Sequence, residues 1–278
     1  MRLVSYRGEG APRAGVQTDD GILDAGEILG SGPVGLRQMI ADERLGELSE
    51  RARDGAQPVA GAELLPPIPD PDKIVCIGLN YRSHAAEAGI DPPSEPTFFA
   101  KFRNALAPPG AAVSLPAASD KVDYEAEVAF VIGRRCSGVD PSEGLDGIAG
   151  YMLLNDLSAR DLQFATPQWM PGKVFDGSAP CGPALVTPDE AGAPDEISFT
   201  LDLNEERMQD GSTSDLIFSP GELVARLSAW MTLEPGDIVS TGTPSGVGSV
   251  REPPVWLKPG DEIVISSPTL GELRTTIA

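Results

Sequence analysis

The sequence predicts a β-rich α+β fold: a rolled, mixed β-sheet or barrel, preceded by a smaller N-terminal α/β unit. Three observations carry that expectation. Strand-like runs far outnumber helical ones after residue 72. The 278 residues are 41 % apolar, with 31 Gly and 27 Pro, as in a turn-rich globular chain rather than a disordered one. A proline-rich segment, Leu65-Pro-Pro-Ile-Pro-Asp-Pro71, reads as a stiff linker and divides residues 1–66 from a main domain over 67–278.

Taken in order, residues 1–66 carry short strand signals, an Asp19-Asp20-Gly21 hairpin turn and an amphipathic stretch over Leu36–Leu48. Beyond the linker, apolar and alternating runs predict strands over 73–78, 97–101, 123–133, 150–156, 183–187, 198–203, 237–241, 262–266 and 271–277. Helices are expected over 81–89, 159–165 and 220–231. The phrase Leu233-Glu-Pro-Gly-Asp-Ile-Val239 recurs as Leu257-Lys-Pro-Gly-Asp-Glu-Ile-Val264. Pro-Gly at the centre of a type II turn feeding a strand explains both copies without a duplicated domain.

The whole-chain balance excludes some functions. A formal net charge of −21 argues against nucleic acid, whose phosphates need clustered Lys and Arg. It leaves room for an anionic substrate, since a bound cation and a few placed basic side chains reverse the local field. No apolar run approaches the roughly 20 residues of a membrane span, and Met1–Gly8 reads as a first strand rather than a signal peptide. Three cysteines (Cys76, Cys136, Cys181) without metal-like spacing point to a reduced cytoplasm. Cys181 is weighed as a nucleophile and read as a core residue.

The chemistry is concentrated in Asp123-Tyr-Glu-Ala-Glu-Val-Ala-Phe-Val-Ile-Gly133. Tyr124, Ala126, Val128, Phe130 and Ile132 share one strand face; Glu125, Glu127, Ala129 and Val131 share the other. Both faces turn apolar, so the strand is expected to be buried, with the two carboxylates at its entrance. Their Cα atoms would lie roughly 6.6 Å apart, two rises of about 3.3 Å, close enough for one cation. A solvent-facing edge strand is the competing reading. Asp156 ends the next apolar run, Gly150-Tyr-Met-Leu-Leu-Asn-Asp156, where a helix start is signalled by Ser158 and Asp161 as a capping-box variant. Asp156 is thus either a turn former or a third ligand. Three carboxylates without His or Cys favour Mg²⁺ or Mn²⁺ over zinc.

Arg160 and Gln163, three apart on that helix, share a face and can hold a substrate carboxylate or carbonyl, or else stay solvated. Lys173, in Trp169-Met-Pro-Gly-Lys-Val-Phe-Asp-Gly177, is flanked by apolar residues; a structural ion pair is its alternative. His84 is the only histidine, so any imidazole base is this one, with Glu87 three residues on to orient it. An exposed helix-surface histidine is the competing reading. Gly89-Ile-Asp-Pro-Pro-Ser-Glu-Pro96 resists regular structure and reads as a flap, mobile without ligand.

In order along the chain, Gly78-Leu-Asn-Tyr-Arg-Ser-His-Ala-Ala-Glu87, Asp123-Tyr-Glu-Ala-Glu-Val128, Asn155-Asp-Leu-Ser-Ala-Arg-Asp-Leu-Gln163, Gly172-Lys-Val-Phe-Asp176 and Ser240-Thr-Gly-Thr-Pro-Ser-Gly-Val-Gly248 resemble the fumarylacetoacetate hydrolase family, from about Lys73 to the C-terminus. The resemblance implies the family's β-rich roll and a homodimer. It implies metal ligands at Glu125, Glu127 and Asp156, an acid–base pair at His84 and Glu87, and substrate contacts at Arg160, Gln163, Lys173 and Thr243. The implied activity is Mg²⁺- or Mn²⁺-dependent hydrolysis of a carbon–carbon bond in 1,3-diketo acids of the acylpyruvate or fumarylpyruvate type, through an enolate. An oxaloacetate-type decarboxylase or tautomerase, a 2-hydroxymuconate-type isomerase and a non-catalytic 2-oxo-acid-binding dimer are the alternatives.

Overall fold

The computed structural model describes residues 1–52 and 57–278; residues 53–56, inside the N-terminal segment, lie outside the described residues. Among the described residues the chain is a sheet-dominated α+β fold. One mixed sheet runs in the order 21–24, 12–18, 2–7, 179–186, 148–155, 126–132, 238–240, 74–78, 97–101. Neighbours along it are antiparallel except Ile238–Ser240, which lies parallel to Ile74–Gly78. A second sheet orders 206–212, 198–203, 262–267, 271–277 and 112–113.

The alternation read from the sequence decides the layering. Tyr124, Ala126, Val128, Phe130 and Ile132 enter one core, shared with Phe199, Leu201, Ile263 and Ile265 of the second sheet. Ala129 and Val131 enter the other, with Leu3, Leu36, Met39 and Ile40 from the N-terminal segment. The strand Ala126–Ile132 is buried along its whole length, as expected of a strand covered on both faces.

Residues 1–66 join the same sheet, because Arg2–Arg7 pairs antiparallel with Ala179–Val186. The hairpin turn at Asp19–Asp20 is present between Pro12–Thr18 and Gly21–Asp24. The amphipathic stretch forms two helices, Leu36–Ala41 and Leu45–Arg51, broken where Glu43 takes φ 56°. The proline-rich segment differs from a free linker: Leu64–Leu65 pairs with the first strand, and Ile68 is fully buried. Both Pro-Gly turns have the same chemistry, with Gly236 and Gly260 left-handed (φ 88° and 93°). In each, the following aspartate accepts the N–H three residues back, from Glu234 and from Lys258.

The strand Glu206–Ser212 and the helix Pro141–Asp146 were not expected. The long run over 123–133 is interrupted: Val122–Asp123 pairs with Ser158–Ala159, and the buried strand begins only at Ala126. Among the described residues, no helix is long and apolar enough to cross a membrane. The cysteines are free and buried, and burial pushes the Cys181 thiol up to about 12, which suits a core residue and not a nucleophile.

Candidate active site

Strand register builds the centre of the site. Ala126 pairs with Asn155, so the residues just outside the pair, Glu125 and Asp156, meet at one sheet end. The backbone locks them: Asp156 N–H donates to Glu125 O at 2.9 Å, and Glu125 N–H to Asn155 Oδ1 at 3.1 Å. Glu127, two residues into the strand, points to the same place. One carboxylate oxygen each from Glu125, Glu127 and Asp156 lies within 4.8 Å of the others, and all three residues are buried. The strand is internal to the sheet and buried, so the edge-strand reading is removed.

Cationic side chains hold two of these acids, Glu125 and Asp156. Lys173 Nζ donates to Glu125 Oε2 at 2.6 Å and to Asp156 Oδ2 at 2.7 Å. Arg160 Nη2 lies 2.7 Å from Glu125 Oε1 and 2.8 Å from Asp123 Oδ2. Its Nη1 donates to Gln163 Oε1 at 3.0 Å, which leaves the Gln163 amide N–H groups as donors. Arg160 and Gln163 are both buried, so neither is a solvated surface residue. Lys101, fully buried, sits 2.8 Å from the second oxygen of Asp156.

Glu127 differs from the other two. Its Oε2 accepts from Ser240 Oγ at 2.5 Å and Gly242 N–H at 3.0 Å, and no cation pairs with it among the described residues. The electrostatics follow. Burial would raise the Glu125 carboxyl, but Arg160 and Lys173 outweigh it and hold the group well below the usual carboxylate range. Burial, then the charges of Asp156 and Glu125, push Glu127 well above it. Burial works against the Lys173 ammonium, yet Asp156 and Glu125 keep it charged to higher pH than a free lysine.

Four carboxylates, counting Asp123, therefore face three cationic side chains, Lys101, Arg160 and Lys173. A hard divalent cation fits this donor set: the donor atoms are oxygens, they converge, and the acid without a cationic partner is among them.

The helix expected to carry the base runs over Arg82–Glu87. His84 Nδ1 and Glu87 Oε2 are 3.2 Å apart, and Glu87 Oε1 accepts Gly246 N–H at 2.8 Å. The helix start is tied to a second loop, with Ser83 N–H donating to Asp215 Oδ2 at 2.9 Å. Beneath it, buried Asn80 donates to Thr241 O and Phe218 O and accepts Phe218 N–H. His84 is thus oriented over the site rather than displayed on a free surface. Gly89–Pro96, read as a flap, follows without regular secondary structure.

His84, Glu125, Glu127, Asp156, Arg160, Gln163, Lys173 and Thr243 all line one cavity of about 360 Å³; Glu87 stands behind His84. Thr243 lines it too, though its hydroxyl donates to Ala126 O and accepts from Gln209 Nε2, both at 2.9 Å. Trp169 forms part of the wall, and Gly78 makes room for it: a Cβ there would fall 2.4 Å from the indole.

One local expectation is corrected. Ser158 does not cap the helix after Asp156. Its hydroxyl turns back to Asp156 O at 2.8 Å, and the helix Arg160–Gln163 starts behind Ala159 without a side-chain cap. Ser158 is instead held in a two-residue strand paired with Val122–Asp123, which fixes its backbone.

Sequence reasoning missed Lys101, Asp123 and Gln209. Asp123 Oδ1 accepts from Gly248 N–H at 2.7 Å and Oδ2 from Ser249 N–H at 3.0 Å, so it joins Arg160 to the glycine-rich turn. Its place beside the Glu-Ala-Glu pattern was the available signal. Gln209 Oε1 accepts Ala126 N–H at 2.9 Å from a polar strand that gave no sign of its burial.

Comparison with known proteins gives this geometry a context. A family model described as fumarylacetoacetate (FAA) hydrolase C-terminal matches residues 73–278. The chain is 36 % identical to the mitochondrial oxaloacetate tautomerase fahd2 of Xenopus laevis, over 100 % of this chain and 90 % of that protein. Maleylpyruvate hydrolase from Sphingobium sp. SYK-6, solved with manganese(II) and pyruvate, superposes with a TM-score of 0.83 at 32 % identity, covering 100 % of this chain and 99 % of that one. A 5-carboxymethyl-2-hydroxymuconate delta-isomerase from Mycobacterium smegmatis superposes at 0.79 with 32 % identity, covering 100 % and 98 %. Matched over residues 73–278 and aligned along its whole length with each of these enzymes, the chain belongs to the fumarylacetoacetate hydrolase family.

Proposed function

We propose that the protein is a divalent-metal-dependent hydrolase that cleaves a carbon–carbon bond in a 1,3-diketo acid of the acylpyruvate type. The observation that carries this reading is the meeting, in one cavity, of three buried carboxylates with His84, which Glu87 holds from behind. Glu125, Glu127 and Asp156 would hold Mg²⁺ or Mn²⁺. The cation, when bound, supplies Lewis-acid stabilisation of the negative charge that develops on the substrate oxygens.

The remaining steps fall to side chains. Glu87 holds the imidazole, and His84 takes a proton from water. The hydroxide adds to the distal carbonyl, where the third N–H of Lys173 is a donor for the developing oxyanion. Collapse breaks the carbon–carbon bond; its electron pair leaves as the enolate of the 2-oxo acid, and the His84 imidazolium returns the proton to carbon. Arg160 acts mainly as a strut for Glu125 and Gln163, and Gln163 offers its amide donors to the substrate.

A second reading, oxaloacetate tautomerisation, is favoured by the 36 % identity to the Xenopus laevis enzyme over the whole chain. It uses the same ligands and only the proton transfers. A decarboxylase or isomerase would share them too. A cytoplasmic location, which three free thiols suit, and a homodimer, which rests on the family resemblance alone, complete the proposal.

The test supplies Mg²⁺ with acylpyruvates and, separately, oxaloacetate, following ultraviolet loss of the enol together with CO₂ release. Acylpyruvate cleavage is expected, and His84→Ala should lower it by roughly 10²- to 10⁴-fold, the usual worth of a positioned base. Enol loss from oxaloacetate without cleavage of any acylpyruvate would transfer the assignment to the tautomerase. Wild-type cleavage by the variant would remove His84 from the mechanism.

A further inference from the structure

We infer that the part of the substrate beyond the reacting dioxo unit is uncharged and apolar, so that the enzyme prefers acyl tails to tails ending in a second carboxylate. This rests on the proposed 2-oxo acid head group at the triad and adds the substrate class to it.

Two features of the cavity lead to it. First, its charge is spent at one end. Arg160 and Lys173 are the Arg and Lys side chains that line it, and each already serves two carboxylates: Asp123 and Glu125 for the first, Glu125 and Asp156 for the second. His84, the remaining basic group, faces Glu87. A terminal carboxylate entering this space would shed its water and meet no free cation, which is costly for a buried anion.

Second, apart from Gln163, Thr243 and Ser249, the side chains that line the rest of the cavity are apolar, and they extend to the surface. Phe99 and Trp169 meet edge-on, with ring centroids 5.8 Å apart. Val247 belongs to the same lining. At the rim, Ile90, Phe164 and Val250 are 48 %, 67 % and 42 % exposed, from three separate segments that converge on one opening. Large apolar side chains left in water around a concave mouth mark a surface that a ligand covers.

The test uses calorimetry on the whole protein with saturating Mg²⁺ and a series of unreactive pyruvate mimics. These are oxamate, N-butyl and N-hexyl oxamate, and N-(3-carboxypropyl) oxamate. Each added methylene should tighten binding by up to about fourfold until the cavity is filled. The carboxypropyl compound should bind at least roughly tenfold more weakly than the butyl one. Phe164→Ser, at an exposed position, should remove much of the gain from butyl to hexyl while leaving oxamate binding unchanged. Val250→Lys should raise affinity for the carboxypropyl tail. Oxamate binding with no gain from alkyl tails, or a preference of the wild type for the carboxylate tail, would overturn the inference alone. Failure of oxamate itself to bind would overturn the 2-oxo acid reading, and the tail assignment with it.

Discussion

Replacing Lys173 with methionine should destabilise the protein strongly, and a divalent cation should reverse much of the loss. The Lys173 ammonium lies 2.6 Å from Glu125 and 2.7 Å from Asp156, and all three side chains are buried. Methionine keeps most of the volume but leaves two buried carboxylates with less compensation. Removing one partner of a buried ion pair costs about 3–5 kcal/mol. At about 2–4 °C per kcal/mol for a chain of this length, the Tm should fall by roughly 6–20 °C in EDTA. A cation held by those same carboxylates stabilises the folded state by about 2.7 kcal/mol at a hundredfold excess over its Kd. The variant should gain at least as much from Mg²⁺ as the wild type. Thermal unfolding followed by circular dichroism, in EDTA and in a Mg²⁺ series, reads both effects. Equal Tm for variant and wild type in EDTA would refute the buried ion-pair account. A large loss that Mg²⁺ does not reduce would refute the triad as its binding site.

Lys101 offers a related test at one remove, since it touches Asp156 from behind. Lys101→Met takes the same kind of charge from Asp156, so it should lower the Tm in EDTA and strengthen Mn²⁺ binding, as thermal unfolding and titration calorimetry would show. Unchanged affinity would leave Lys101 a structural residue only. Far from the site, Asp24 accepts from Tyr6, from Arg13 at 2.8 Å and from Glu27 N–H at 2.8 Å. Burial works to raise its carboxyl, but Arg13, Tyr6 and the Glu27 N–H prevail and hold it below its ordinary value. A depressed folded-state pKa adds stability that is present above the unfolded pKa and lost as pH falls through the folded one. Asp24→Asn should therefore cost most above about pH 4, and the gap in urea midpoints should close on acidification below it. A gap that widens toward acid would contradict the sign.

Much of the site was legible because strand alternation is a short-range signal. The period of two placed Glu125 and Glu127 on one face and Ala129 and Val131 behind them, and the two cores divide along that line. His84 was legible because it has no rival, and Arg160 with Gln163 because three residues make most of a helical turn. What escaped depends on long-range pairing. Lys101 ends an ordinary-looking strand, and only its approach to Lys173, Ser178 and Asp156, more than fifty residues away, shows why it is buried. Glu206–Ser212 is too polar to read as a strand, yet Gln209 is buried by bonding the backbone of residues 126 and 244. The proline-rich segment has linker composition, and the sequence does not reveal that Ile68 fills the N-terminal core.

Glu125, Glu127 and Asp156 are proposed as the ligands of one divalent cation on which activity depends. Titration of chelator-treated protein with Mn²⁺, followed by electron paramagnetic resonance alongside the activity assay, tests this assignment most directly. Glu127→Gln is the chosen partner, because it keeps the shape and can still accept from Ser240 and Gly242 while losing the charge. A single Mn²⁺ site per chain is expected in the wild type, with activity restored in proportion to its filling. The variant should show no site over the same concentrations and no restored turnover. Full activity in metal-free wild-type protein, or Mn²⁺ binding undiminished in Glu127→Gln, would contradict the assignment.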